Sequence, residues 1–122
     1  MRAAEKGDEK RVRELVAAGA KLNLVTSGSW CALHIASCYG RLRIAKLLLD
    51  GKYEGKGADI NLRAKQGSTP LIEASLQGHV AVVRLLLERG ADATLQSERG
   101  SALSRAANGR TKALLHAHGA TA

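Results

Sequence analysis

Cys31, His34 and Cys38 fall at i, i+3 and i+7, a spacing that puts all three on one face of a helix. Thiolates and an imidazole grouped this way could hold zinc, but a structural zinc site needs four ligands and no fourth is evident nearby. The stretch "GKYEGKG", residues 51–57, imitates a phosphate-binding loop. It has three residues between its glycines instead of four, lacks the Ser or Thr after Gly-Lys, and follows an apolar helical run where that motif needs a strand. Ser, His and Asp occur, but not in an arrangement that reads as nucleophile, base and orienting acid. His116 and His118 read as surface residues of the C-terminal segment. The chain therefore reads as non-catalytic, with no metal and no cofactor.

What would position such side chains is set by a repeat. "GHVAVVRLLLERGAD", from Gly78, echoes "GRLRIAKLLLDGKYEGKGAD", from Gly40, with "KYEGK" inserted at residues 52–56. Gly7 and Gly40 stand 33 apart, and Gly40 and Gly78 stand 38 apart, which returns to 33 once the five inserted residues are removed. Gly19-Ala20, Gly57-Ala58, Gly90-Ala91 and Gly119-Ala120 mark the ends of the same runs. A fixed period of this size signals stacked repeats.

One unit follows from local rules. Thr69 suits an N-cap, and Pro70 suits the first helical position, where its missing N–H leaves no bond unmade. Leu71, Ala74 and Ser75 give a short helix with small residues for close approach, and Gly78 stops it. Val82, Val83, Leu85, Leu86 and Leu87 then recur at helical spacing, and Gly90 ends that helix in the left-handed conformation. Two helices this short cannot bury their apolar faces alone, so the units must stack.

"GSTPLIEASLQGHVAVVRLLLERGAD" and "CALHIASCYGRLRIAKLLLDG" resemble ankyrin repeats, and the resemblance covers nearly the whole chain. It implies an all-α solenoid of antiparallel helix pairs with β-turn fingers along one edge. The units expected are residues 1–23 (a truncated N-terminal repeat), 24–61 with the insertion, 62–94, and 95–122 as a shortened C-terminal cap. The resemblance also makes His34 the hydrogen-bonding histidine of its repeat and the two cysteines small packing residues. Cys31 stands where the family prefers Thr, and Ile72 where it prefers His, so no repeat carries the complete Thr–His element that ties neighbours together. A modestly stable stack is expected.

Function enters through the same register. By resemblance Trp30 and Tyr39 lie on the concave side, where such proteins contact partners. With no Phe, one Trp and two Tyr in the chain, their use there suggests recognition, the alternative being packing against neighbouring repeats. Lys65, Gln66 and Ser68 belong to the third finger, Leu76 and Gln77 to the end of its helix, and Arg99 and Ser101 to the last finger. That polar, adaptable set suits a protein or peptide partner. The insertion, with Lys52, Tyr53 and Lys56, reads either as a tolerated loop or as a partner-touching one.

The 122 residues carry a net charge of +8, which favours anionic partners such as acidic protein faces, RNA or anionic lipid. Lys10, Arg11 and Arg13, with Arg41, Arg43 and Lys46, fall on second helices, which by resemblance form the convex wall. They read as a solvated face, or as a contact for RNA within a larger assembly, although no aromatic array for base stacking accompanies them. Two cysteines, no apolar run long enough for a membrane span and no apolar segment in "MRAAEKGDEKRVREL" point to an intracellular, most simply cytoplasmic, protein without membrane insertion. The leading function is a non-catalytic protein-binding scaffold, with an architectural subunit of a ribonucleoprotein or similar assembly as the alternative.

Overall fold

The computed structural model describes residues 31–50 and 59–119, together with Lys10 and Glu14, both helical; the side chain of Lys65 is outside this description. Trp30 and the insertion at 52–56 lie outside the described residues.

The described chain is a succession of helix pairs. Helices α1 (Ala32–Cys38) and α2 (Leu42–Asp50) form one pair, α3 (Pro70–Leu76) and α4 (Val80–Glu88) the next, and α5 (Ala102–Arg105) and α6 (Gly109–Ala117) the last. A short 3-10 turn, Lys65–Gly67, precedes α3, and a hairpin of β1 (Gln96–Ser97) with β2 (Gly100–Ser101) precedes α5. First helices pack on first helices (α1 on α3, α3 on α5), and second helices on second helices (α2 on α4, α4 on α6). The result is the two-layered all-α stack expected, with the fingers leading into the inner row. The shortening of the last unit falls on its first helix, four residues long, while its second helix has nine, as many as α2 and α4.

Local chemistry sets each helix start. The Thr69 hydroxyl accepts from Ile72 N at 3.2 Å with Pro70 just inside the helix, and Asn108 Oδ1 accepts from Thr111 N at 2.9 Å. Ser101 and Ser104 cap reciprocally: Ser101 Oγ accepts from Ser104 N and Ser104 Oγ accepts from Ser101 N. The core is aliphatic, with Leu33, Leu71, Leu86, Leu115, Val82 and Val83 enclosed and Leu48 only 3% exposed.

The turns between paired helices stack on one another. Gly40 has φ +68°, and the His79 ring occupies the space its Cβ would fill, while His79 Nε2–H donates to Cys38 O at 2.9 Å. Asn108 and Ala107 sit over Gly78 less tightly, at 3.0 and 3.3 Å from where its Cβ would be, so close approach demands glycine at 40, while the left-handed backbone favours it at both places. Ala107 N also donates to Ser75 O at 3.0 Å.

Ser37 and Ser75 occupy equivalent buried positions on α1 and α3, and among the described residues neither hydroxyl has a hydrogen-bond partner. A desolvated hydroxyl without a partner opposes folding. Ser75→Ala should therefore raise stability by about 1 kcal/mol, read as a higher denaturant midpoint at unchanged slope. A loss of stability would show that the hydroxyl is satisfied in solution.

Candidate functional site

Cys31 and His34 form a buried pair at the start of α1. Cys31 N–H donates to His34 Nδ1 at 3.3 Å, so Nδ1 is an acceptor and the ring proton resides on Nε2. Nε2–H then donates to the carbonyl of Ser68 at 3.0 Å, across to the next repeat. The Cys31 thiol lies 3.1 Å from Nδ1 and can donate to it as well. Both residues are wholly buried. Burial pushes the Cys31 thiol up from its ordinary value and pulls His34 down from its own, although hydrogen bonds oppose both shifts. Burial likewise raises Cys38. Thiol and imidazole are thus both neutral, which suits packing and not nucleophilic attack. Helical rise alone puts Cys38 about 10 Å along from Cys31, too far apart for one metal ion. The inter-repeat tie expected to be incomplete is in fact closed, because a thiol stands in for the missing threonine hydroxyl.

His34 fixes the foot of the third finger, since Ser68 O also accepts from Ala64 N at 2.7 Å. At the tip Gln66 takes φ +68°, a left-handed conformation uncommon for a residue with a side chain. The third and fourth fingers are lashed together: Glu98 N donates to Gln66 O at 2.8 Å, and Arg63 Nη1 donates to Gln96 O at 2.9 Å. The hairpin beyond is closed by Ser97 Oγ, which donates to Gly100 O and accepts from Arg99 N.

Between these fingers and the inner helices lies a cleft of about 290 Å³, lined by Gln66, Ser68, Ile72, Glu73, Leu76, Ser97, Arg99 and Arg105. Four of the eight (Gln66, Ser68, Leu76 and Arg99) are residues the sequence nominated. Gln66 and Arg99 are exposed and Leu76 half-buried. Ser68 is buried, its hydroxyl donating to Glu73 Oε1 at 2.6 Å. Arg105 lies beside the turn that carries Arg99: its Cδ comes within 3.6 Å of where a Cβ on Gly100 would be, and both arginines line the cleft. Tyr39 and Gln77 are not in the cleft. They are the C-caps of α1 and α3, both exposed, with Tyr39 at 49% the one exposed large hydrophobic side chain among the described residues. The backbone of Lys65 is in the third finger, and Ser101 is the buried N-cap of α5.

Sequence reasoning missed Ile72, Glu73, Ser97 and Arg105. A signal existed for two of them: Glu73 and Arg105 stand at the same distance beyond their N-caps, Thr69 and Ser101, and so occupy matching places on successive inner helices.

A family model described as ankyrin repeats (3 copies) matches residues 1–97 and again 56–120. The chain belongs to the ankyrin-repeat family. It is 42% identical over 80 residues to the human ankyrin repeat and KH domain-containing protein 1, covering 63% of this chain and 3% of that protein. It is 35% identical over 98 residues to the Bos taurus ankyrin repeat and SOCS box protein 2, with 80% of this chain and 15% of that one covered. Over 101 residues it is 38% identical to the mouse palmitoyltransferase ZDHHC13, again covering 82% of this chain and 15% of the relative. The chain therefore spans a small part of each of these relatives. Ankyrin repeats generally serve protein–protein interaction and are generally non-catalytic, even where a relative carries a catalytic domain besides. Among the described residues no helix is long and apolar enough to cross a membrane.

Proposed function

We propose that this ankyrin-repeat chain is a non-catalytic binding module that takes its protein partner on the fingers and inner helices. The observation that carries this is the cleft, where two fingers fastened by one backbone hydrogen bond and one from the Arg63 guanidinium hold Gln66 and Arg99 opposite Leu76 of α3 around one concavity. A preformed edge of this kind spends little conformational entropy on binding. Tyr39 and Gln77, the exposed C-caps of α1 and α3, offer further contact groups at the helix ends, and the repeat register of the sequence nominates Trp30 and Lys65 with them. Family membership supports the class of function.

The test uses the whole chain and a partner isolated by crosslinking. Gln66→Ala with Leu76→Ala should weaken that complex at least about tenfold, as should Tyr39→Ala, equivalent to about 1.4 kcal/mol each. Arg84→Ala with Arg110→Ala, exposed on the second helices α4 and α6, should leave it unchanged. The reverse ranking, with affinity falling steeply as salt rises, would instead favour contact between the basic outer helices and the phosphates of an assembly.

A further inference from the structure

The cleft carries a chemistry of its own. Its lining holds two guanidiniums, Arg99 and Arg105, and one carboxylate, Glu73, which leaves a single excess positive charge. Among the described residues neither guanidinium makes an ion pair or a side-chain hydrogen bond, whereas the Glu73 carboxylate already accepts from Ser68 Oγ. Ile72 and Leu76 supply apolar wall beside them. At about 290 Å³ the cleft is at the small end of ligand sites, room for side chains and not for a whole cofactor.

We infer that the cleft takes an extended segment of a partner protein in which an acidic side chain, engaged by Arg99 and Arg105, is followed two residues later by an aliphatic one seated against Ile72 and Leu76. This rests on the binding-module reading and deepens it. An unpaired guanidinium is a rigid fork of donors matched to a carboxylate. One excess charge suits a monoanion better than a dianionic phosphate, which Glu73 would repel. In an extended chain residues i and i+2 point to the same side, so one segment can deliver both groups to one cleft. The chain's net charge of +8 adds long-range attraction for an acidic partner face.

The experiment uses the whole chain, isotopically labelled, and two capped peptides, acetyl-Gly-Glu-Gly-Leu-Gly-amide and its counterpart with Gln for Glu. Amide shifts are followed during titration at low salt up to about 10 mM peptide, where even Kd values in the millimolar range are readable. The Glu peptide should shift Gln66, Leu76, Arg99 and Arg105, and bind at least about fivefold more tightly than the Gln peptide. Arg99→Gln with Arg105→Gln should abolish that preference, while Arg84→Gln on the outer layer should preserve it. Both arginines of the cleft are exposed, so the variant folds. Equal binding of the two peptides, a preference that survives the double variant, or no shift in the cleft with either peptide would each overturn the acidic occupant. The binding-module reading stands or falls separately, on the ranking of Gln66, Leu76 and Tyr39 variants against the isolated partner.

Discussion

Leu86→Ala should cost about 2–5 kcal/mol of stability, toward the upper end, because the site cannot collapse around the loss. Leu86 is completely enclosed in α4, a helix that packs on its own partner α3 and on the second helices of both neighbouring units. Truncation therefore weakens one intra-repeat contact and two interfaces between repeats, and in a stack whose stability is a sum of nearest-neighbour terms the damage spreads to both sides. Leu48, at the equivalent depth in α2, should lose a comparable amount. Equilibrium denaturation of the two variants reads the effect directly. Losses below about 0.5 kcal/mol at both sites, the scale of a surface substitution, would contradict the packing described.

The second large effect belongs to His34. Removing the ring leaves a cavity, strips the Ser68 carbonyl of one donor and deprives the Cys31 thiol of its acceptor. His34→Ala should cost about 2–4 kcal/mol, combining a core truncation with an unpaired buried group. Acid should destabilise the native chain through the same residue. Burial holds the folded-state pKa of His34 below its ordinary 6.5, so between those two values the unfolded chain binds the extra proton. The contribution is fully present above about pH 6.5 and declines as pH falls from there toward the folded-state value. In His34→Ala that part of the acid dependence should vanish, leaving a flatter stability curve from neutrality downward. Cys31→Ser, which keeps a donor toward Nδ1, should fold and retain it. An unchanged pH dependence in His34→Ala would mean that the imidazole does not titrate with folding.

These two residues show where sequence reasoning reaches and where it stops. Leu48 and Leu86 were readable because helical periodicity is a property of neighbouring residues, and so were the Thr69 cap, Pro70, the stop at Gly78 and the left-handed glycine at 90, whereas the left-handed backbone of Gly40 and Gly78 came from the structure. His34 was readable only by resemblance, and its partner was not: the Ser68 carbonyl lies 34 residues away. His79 gave no local sign that its ring would cover Gly40 and reach Cys38 O, 41 residues back. The lashing of the fingers runs through backbone groups of Gln66, Glu98 and Gln96 together with the Arg63 guanidinium, and the sequence singles out none of these as partners. The cleft was half visible for the same reason. Gln66, Ser68, Leu76 and Arg99 follow from finger and helix-end register, whereas Glu73 and Arg105 share a spacing from their N-caps and come to one cleft through the packing of α3 on α5. The possible zinc cluster failed on length along the helix, a quantity that the i, i+3, i+7 face argument ignores.

The face that binds is the claim on which the functional account depends, and amide hydrogen exchange of the whole chain, free and with its isolated partner, measures it directly. Protection gained on binding should concentrate at the third and fourth fingers, residues 64–68 and 97–101, and at the helix ends around Leu76 and Gln77, with α2, α4 and α6 little changed. Protection confined to those second helices, with the fingers exchanging as in the free chain, would contradict the account and move the contact to the outer layer.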